Sequence, residues 1–394
     1  MKLKRAVIIV IDGLGVGALP DAASYGDTGS HTLDNTAKAL GKLHLPNFAA
    51  LGLGCIEGVT EIQKAASPQG SYGRMAEASP GKDSITGHWE MAGLILDKPF
   101  PTFPDGFPAK MLHEFTEVTG KGWLWGKTAS GTEIINRLGP EHLATGRLIV
   151  YTSADSVFQI AAHEDAISIT ELYEVCKKTR AFLDNYNVQR VIARPFTGKA
   201  GAFTRTYERR DFSILPPEVT LLERFVNAGI SVTGIGKIGD IFAHRGLSKE
   251  VHTEGDMDGL EMTMDAVKNA GADVSPTLVF TNLVDFDMRY GHRRDAAGCA
   301  RALKAIDARL AELMALLGPE DILIITGDHG CDPTTPSTDH SREYVPLLVY
   351  GPSLKCGVDL GTRKTFADLG ATLCDAFGLR RGGAGTSFLL SLTG

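Results

Sequence analysis

Seven side chains able to bind metal ions or accept phosphoryl groups, Asp12, Thr86, Asp287, His292, Asp328, His329 and His340, are scattered over most of the 394-residue chain. Three carboxylates and three imidazoles are the oxygen and nitrogen ligands that two divalent ions would need. Three aspartates oppose two divalent cations, so a loaded site would stand near one net positive charge and attract phosphate. Asp287-Met-Arg-Tyr-Gly-His292 carries a carboxylate and an imidazole across a Gly-containing turn, where both can converge on one ion. In Asp328-His329-Gly330 two adjacent ligands can face different ions, and Ser337-Thr-Asp-His-Ser341 adds His340. A single histidine in such a loop is more often a surface or core residue; the clusters together reverse that reading. A hydroxyl beside a divalent ion becomes alkoxide-like enough to attack phosphorus, which makes Thr86 a candidate nucleophile. Ser84, two residues earlier, has the same chemistry, and either hydroxyl could instead cap the helix that follows.

These residues need a scaffold that delivers them to one place. Asp12 ends the apolar run Ala6 to Ile11, Asp287 follows Leu278 to Val284, and Asp328-His329 follow Ile322 to Ile325. Continuous apolar runs of this kind are expected as parallel strands covered on both faces. In open α/β sheets, ligands bind outside the carboxyl ends of such strands. Strands are also expected at Arg147 to Thr152, Val188 to Ala193, Ile230 to Gly234 and Val345 to Tyr350, the last taken as the final strand. Helices are expected near Asn35 to Gly41, Ile169 to Leu183, Glu218 to Ala228, Asp295 to Leu317 and Thr365 to Phe377. In the Asp295 to Leu317 stretch, Leu303, Ile306, Leu310, Leu313 and Met314 recur at helical spacing and read as core.

A chain of this length exceeds what one hydrophobic core usually supports, so a large domain plus a second is expected. The Pro-rich passage from Lys98 to Pro108 and the turn-rich stretch ending near Leu215-Pro-Pro217 punctuate the chain. Residues 1–100 with 218–394 are read as the metal-binding core and 101–217 as an inserted domain. A formal charge of −7 without any Lys/Arg-rich run argues against nucleic acid or an anionic membrane surface as partner. No apolar run approaches a membrane span, and the apolar stretch after Met1-Lys-Leu-Lys-Arg5 ends at Asp12 without a cleavage-like site. Six dispersed cysteines without a Cys-x-x-Cys pair suit a reduced cytoplasm. Cys331, beside the candidate site, reads as a small buried packing residue.

Lys82-Asp-Ser-Ile-Thr-Gly-His-Trp-Glu90, the early Ile11-Asp-Gly13 and the late Gly-Asp-His-Gly330 together resemble the phosphopentomutases of the alkaline phosphatase superfamily, in order and spacing as well as identity. The resemblance covers essentially the whole chain. It implies an α/β fold with an alkaline-phosphatase-like core, a mostly parallel central sheet flanked by helices, and a smaller inserted α/β cap that closes over the sugar. It implies one metal site of Asp287, His292 and His340 and another of Asp12, Asp328 and His329, with Thr86 between them carrying a phosphoryl group. Two manganese ions are the implied metals, although oxygen and nitrogen ligands suit zinc or magnesium as well. The implied reaction interconverts ribose 1-phosphate and ribose 5-phosphate, and the 2-deoxyribose pair, through a 1,5-bisphosphate. A sugar bisphosphate such as glucose 1,6-bisphosphate would prime it. Its partners are small pentose phosphates, with no protein partner evident. Arg194 and Lys237 are the candidates for the distal phosphate, with Arg205, Arg209 and Arg210 competing, and Ser153 and Asp155 for the sugar hydroxyls.

Other readings are weaker. Gly234-Ile-Gly-Lys-Ile-Gly239 fits a dinucleotide-binding fingerprint, yet Asp240 to Gly246 makes a poor helix and the Asp/His clusters would have no purpose. Gly122 to Thr128 approaches a P-loop pattern with its leading glycine out of register. A metal-dependent phosphatase or phosphoglycerate mutase on the same scaffold would share fold and metals and differ in nucleophile loop and cap. A non-catalytic binding protein would have no reason to keep both ligand sets.

Overall fold

A computed structural model describes residues 3–153, 156–270 and 275–393. The chain divides into two compact units, Met1–Lys98 with Pro216–Gly394, and Pro99–Leu215.

The first unit is built on an eight-stranded sheet in the order Lys249–Val251, Ser231–Ile235, Thr277–Leu283, Arg5–Ile11, Asp321–Thr326, Val345–Tyr350, Ser71–Met75, Asp359–Arg363. Every residue of the three strands Thr277–Leu283, Arg5–Ile11 and Asp321–Thr326 is buried. This explains why they read as unbroken apolar runs rather than alternating ones. Val7, Ile9 and Ile11 point to one face, where they meet Leu303, Ile306, Leu310 and Leu313 of helix Ala296–Ala315. Truncating one of these fully buried leucines, for example Leu310→Ala, should cost about 2–5 kcal/mol.

Register decides what emerges at the carboxyl edge. Ile11 lies opposite Leu283 and Val10 opposite Thr326, all in parallel pairing, so Asp12, the 284–292 segment and Asp328-His329 leave the sheet side by side. Val345–Tyr350 runs antiparallel to both neighbours. A reversed strand begins at the edge where its neighbours end, so the loop carrying His340 stays at the same edge. Ser71–Met75, reversed again, ends there with Met75 opposite Val345 and leads toward residues 77–86.

Two strand expectations are corrected. Val345–Tyr350 is not the last strand: Asp359–Arg363 follows it as an edge strand, with exposed alternate positions that hide it from an apolar-run search. Ser71–Met75, with glycine and arginine among its five residues, was also passed over. Helix Ile169–Leu183 matches its expected range, and the 296–315, 367–376 and 221–227 helices fall within theirs.

The second unit is a separate α/β layer structure. Its sheet runs Trp123–Thr128, Leu148–Thr152, Val157–His163, Arg190–Lys199, Ala202–Arg205, with Arg210–Ser213 also pairing to Arg190–Lys199. One face packs against helices Ala109–Thr119 and Ile169–Leu183 through Met111, Phe115, Leu172 and Val175. The other packs against helix Gly131–Thr145 through Ile134 and Ile135. Among the described residues no helix is long and apolar enough to cross a membrane.

Candidate metal centre and nucleophile turn

Six of the seven residues singled out by type converge at the carboxyl edge of the first unit. Asp12, Asp328 and His329 form one group whose ligand atoms lie within 4.8 Å of one another, as expected from the sequence. His329 Nε2 is 3.4 Å from both Asp12 Oδ1 and Asp328 Oδ2. Asp287 collects the other imidazoles: His292 Nε2 is 3.2 Å from its Oδ2 and His340 Nε2 is 3.5 Å from its Oδ1. The ligand-distance groups around Asp287 pair it with His329 and His340, and with His292 and the Cys331 sulfur. The ring of His340 stacks on that of His329 at 3.9 Å and lies 4.7 Å from that of His292. His329 therefore bridges the two sets.

The imidazoles are prepared as ligands. His292 Nδ1 sits 2.7 Å from the Thr338 carbonyl and His329 Nδ1 3.1 Å from that of Gly330. A proton held on each Nδ1 leaves Nε2 as the nitrogen an ion would take, with release of the proton that His329 otherwise directs at Asp12 and Asp328. Asp328 Oδ2 and Asp287 Oδ1 are fully buried without a hydrogen-bond partner. Orphaned carboxylate oxygens in such a place are costly unless a cation completes them. With their oxygen and nitrogen donors, these residues fit divalent ions. Cys331 is at the rim of the set, but burial and the adjacent Asp287 push its thiol well up, so it stays protonated.

Charge coupling in the cluster is strong. Burial alone would raise Asp12, yet Lys237 and His329 hold it well below the usual carboxylate range. Burial likewise opposes ionisation of Asp287, and His340 and His292 overcome it. Asp328 is raised, by burial and by Asp12. For His329, burial disfavours the imidazolium, but Asp328 and Asp12 outweigh it and push the ring up to about 9.

The nucleophile turn carries both hydroxyls. Helix Ser84–Met91 starts at Asp83, whose side chain accepts from Thr86 N at 3.1 Å and from Thr86 Oγ1 at 2.6 Å. Thr86 is thus buried with its hydroxyl on the capping carboxylate. The half-buried Ser84 points its Oγ to 3.4 Å from Asp12 Oδ1 and 3.3 Å from His329 Nε2. The N-cap carboxylate engages the third helical residue, and the first faces the ligand cluster. The rest of the motif fastens this turn. A Cβ on Gly87 would stand 2.3 Å from the Asp328 carbonyl oxygen, so only glycine lets the helix approach the metal-ligand loop. Trp89 Nε1 donates to the Ile241 carbonyl at 3.0 Å. The Glu90 carboxylate accepts from Ala78 N, Ser79 N and Phe366 N.

Loop residues that pattern reading missed hold the centre from behind. Glu343, 1% exposed, accepts from Gly17 N, Thr32 N, Thr32 Oγ1 and Ser341 Oγ at 2.7–3.1 Å. Arg342 donates to Glu77 and to the Ser79 and Gly81 carbonyls, tying the 77–81 segment to the loop of His340. Their one sequence signal is adjacency to His340, and loop charges are usually solvated.

The substrate candidates separate. Lys237 Nζ is 3.1 Å from Asp12 Oδ2, at the metal centre rather than away from it. In the second unit, Arg194 Nε donates to Gln159 Oε1 at 3.0 Å. Burial, followed by the like charge of Arg209, pushes Arg194 down to about 10. Arg205 donates to Thr132 Oγ1 at 3.1 Å on the first turn of helix Gly131–Thr145. The buried Tyr151 hydroxyl has no partner, and a Cβ on Gly131 would stand 2.5 Å from it and from an Arg205 nitrogen. Arg209 grips Asp211 through two 2.8 Å bonds, and Arg210 lies over the Tyr173 ring. Ser153 follows strand Leu148–Thr152, with its carbonyl accepting from Thr152 Oγ1. Asp155 lies outside the described residues.

A family model for the metalloenzyme superfamily matches residues 4–381. A phosphopentomutase of Acetivibrio thermocellus is 54% identical over 391 residues, covering 99% of this chain and 100% of that relative. One from Thermotoga maritima is 54% identical over 386 residues, covering 98% of each. Among solved structures, a protein from Pyrococcus horikoshii aligns over 98% of this chain and 100% of its own with a TM-score of 0.48 and 16% identity.

Proposed function

The chain belongs to the metalloenzyme superfamily and, within it, to the phosphopentomutases, so it is an isomerase that depends on divalent metal, and from that premise we propose how its residues move the phosphoryl group. Thr86 is the phosphoryl carrier, as the resemblance implies. The observation that supports this reading is the buried Thr86 hydroxyl, whose proton Asp83 accepts, on the same helix turn that brings the neighbouring Ser84 hydroxyl to 3.4 Å from Asp12 and 3.3 Å from His329.

Phospho-Thr86 donates its phosphoryl group to the free hydroxyl of ribose 1-phosphate or ribose 5-phosphate, or of the deoxyribose analogues. The P–O bond to Thr86 breaks as the new P–O bond to the sugar forms, giving a 1,5-bisphosphate. Thr86 Oγ1 then attacks the other phosphorus, the product monophosphate leaves, and the threonine is again phosphorylated. Water gains nothing in the cycle. A sugar bisphosphate such as glucose 1,6-bisphosphate loads the threonine initially. Two divalent ions, manganese in this proposal, would be held by Asp12, Asp328 and His329 and by Asp287, His292 and His340, neutralising charge on the moving phosphoryl and acidifying the Thr86 hydroxyl. Lys237, already on Asp12, offers its ammonium to the same phosphoryl oxygens. The amide groups opening helix Ser84–Met91 add a favourable dipole for that charge. Arg194 and Arg205, with the Tyr151 hydroxyl, are assigned to the phosphate that is not being transferred, and Ser153 and Asp155 to sugar hydroxyls. The compartment is the cytoplasm.

Phosphorus NMR of ribose 1-phosphate with protein, manganese and a trace of glucose 1,6-bisphosphate tests this scheme. Wild-type protein should yield ribose 5-phosphate with little inorganic phosphate. Thr86→Ala should lose at least ~10⁴-fold in kcat, as for removal of other covalent nucleophiles, with about 1 kcal/mol of stability lost with its hydrogen bond. Ser84→Ala should stay within about tenfold. An active Thr86→Ala beside an inactive Ser84→Ala would move the role to Ser84. Accumulating inorganic phosphate would mean a phosphatase.

A further inference from the structure

Asp83 stands at the N-cap of helix Ser84–Met91 in an extended backbone conformation, with φ −126° and ψ 158°. The bland reading is a cap and nothing else, since aspartate is among the preferred residues at that position. Its two carboxylate oxygens argue for more. Oδ1 accepts from Thr86 N at 3.1 Å, which completes the capping bond. Oδ2 is surplus to that task, and it accepts from Thr86 Oγ1 at 2.6 Å, a distance usual for a hydroxyl donating to a charged carboxylate.

The surroundings give the Thr86 proton little choice of acceptor. Thr86 is 1% exposed, so bulk water does not reach its hydroxyl. A Cβ on Gly81 would stand 2.9 Å from both Oγ1 and Cγ2 of Thr86, so the chain before the helix closes that side. Ser84, on the same turn, directs its own hydroxyl to Asp12 Oδ1 and His329 Nε2. A hydroxyl that attacks phosphorus must lose its proton, and an alkoxide that departs from phosphorus must regain one. The carboxylate on Thr86 Oγ1 is placed to serve both events.

We propose that Asp83, besides capping the helix, is a catalytic residue: the general base and acid that exchanges a proton with Thr86 Oγ1. The proposal rests on Thr86 as the phosphoryl carrier. When Thr86 attacks a sugar bisphosphate, the P–Oγ1 bond forms, the P–O bond to the sugar breaks, and the Oγ1 proton passes to Asp83 Oδ2. Phospho-Thr86 then faces a neutral carboxylic acid, without the repulsion that a carboxylate would exert on the phosphoryl oxygens. When phospho-Thr86 gives its phosphoryl group to a sugar hydroxyl, the P–Oγ1 bond breaks and Asp83 returns the proton to Oγ1. The proton shed by the attacking sugar hydroxyl in one half-reaction is matched by the one taken up by the departing sugar oxygen in the other, so the cycle closes without net proton change.

Asp83→Asn separates the two roles. Asparagine caps as well as aspartate and keeps an oxygen for Thr86 N, but it presents an amide N–H group to Oγ1 and takes no proton. The rate of phosphothreonine formation from phosphorus-labelled glucose 1,6-bisphosphate, followed by rapid quench in a single turnover of manganese-loaded protein, should fall ~10²–10⁴-fold in Asp83→Asn. Its melting temperature and bound manganese should match those of the wild type. Asp83→Ala should lose as much rate and also melt at a lower temperature, because the cap is gone. Asp83→Ser, a capping residue without a carboxylate, supplies the same readout should Asp83→Asn fail to fold. The proposal is overturned if a capping variant forms phosphothreonine at the wild-type rate, or if its loss of rate comes with an equal loss of manganese or a melting temperature as low as that of Asp83→Ala. Wild-type protein labelled at a residue other than Thr86 removes the carrier reading and this proposal together, whereas label on Thr86 with an unimpaired Asp83→Asn removes this proposal alone.

Discussion

The carboxyl edge of the first unit lies where strands of a helix-flanked sheet end, whereas Arg194 of the second lies within strand Arg190–Lys199 of another such sheet, and the two regions carry opposite charges. In the first, Asp12, Asp287 and Asp328 are 0–3% exposed, and two of their oxygens have no hydrogen-bond partner. In the second, Arg194 is partly buried beside the positive charges of Arg209 and Arg205, and the orphan is a hydroxyl, that of Tyr151. Buried like charges repel, and each group is stable only with a counter-charge. The first set calls for cations, while the second is positive, with Asp211 held by Arg209 as its counter-charge. Both sheets are flanked by helices, and a few side chains per region set the charge.

The largest effects should come from the cation side. Asp328→Ala should remove one member of the Asp12, Asp328 and His329 group and lower kcat by ~10³-fold or more. Elemental analysis should show about one fewer ion per chain; unchanged stoichiometry would refute the assignment. Removing all metal with a chelator should lower the melting temperature by several degrees, because binding at a hundredfold excess over Kd stabilises by about 2.7 kcal/mol. Identical melting curves with and without chelator would erase the contrast between the regions. Arg194→Ala, on the anion side, should raise KM by ~10–100-fold, the value of a charged hydrogen bond, while leaving metal content intact. If it strips metal instead, the two regions are not independent.

The smallest effect sharpens the comparison at a buried carboxylate that neither region uses. Burial, opposed by a backbone hydrogen bond from Asp285, raises Asp256 to about 7. The folded state then binds this proton more tightly than the unfolded chain. Its contribution to stability is present below the unfolded value near 3.9 and is lost as pH rises through about 7. Asp256→Asn should flatten the fall in denaturant stability between about pH 4 and 7, by at most about 4 kcal/mol. An unaltered slope would show the carboxylate to be charged throughout.

Pattern reading located the catalytic edge because burial on both faces leaves an unmistakable mark. A strand such as Arg5–Ile11 must be apolar throughout, so a charged residue immediately after it stands out. The same logic failed for Ser71–Met75 and Asp359–Arg363, which lie toward the sheet edge with polar alternate positions. It failed for Arg342 and Glu343 because a charged loop residue looks the same in sequence whether solvated or buried among backbone donors.

What the sequence determined by itself is the inventory and its edge: the six candidate metal ligands, the hydroxyl-bearing turn at 84–86, and the α/β order that puts them after parallel strands. Spacing along a chain constrains which strand end a residue leaves from, and that much follows from hydrophobic periodicity. What only the tertiary structure decided is which neighbours each group has. Asp83 takes the Thr86 hydroxyl, Ser84 faces His329, His329 serves both ligand sets, and Lys237 lies on Asp12 rather than away from the metals. These choices depend on distances of a few ångströms between segments hundreds of residues apart, and hydrogen bonding and charge coupling at that range have no counterpart in linear spacing.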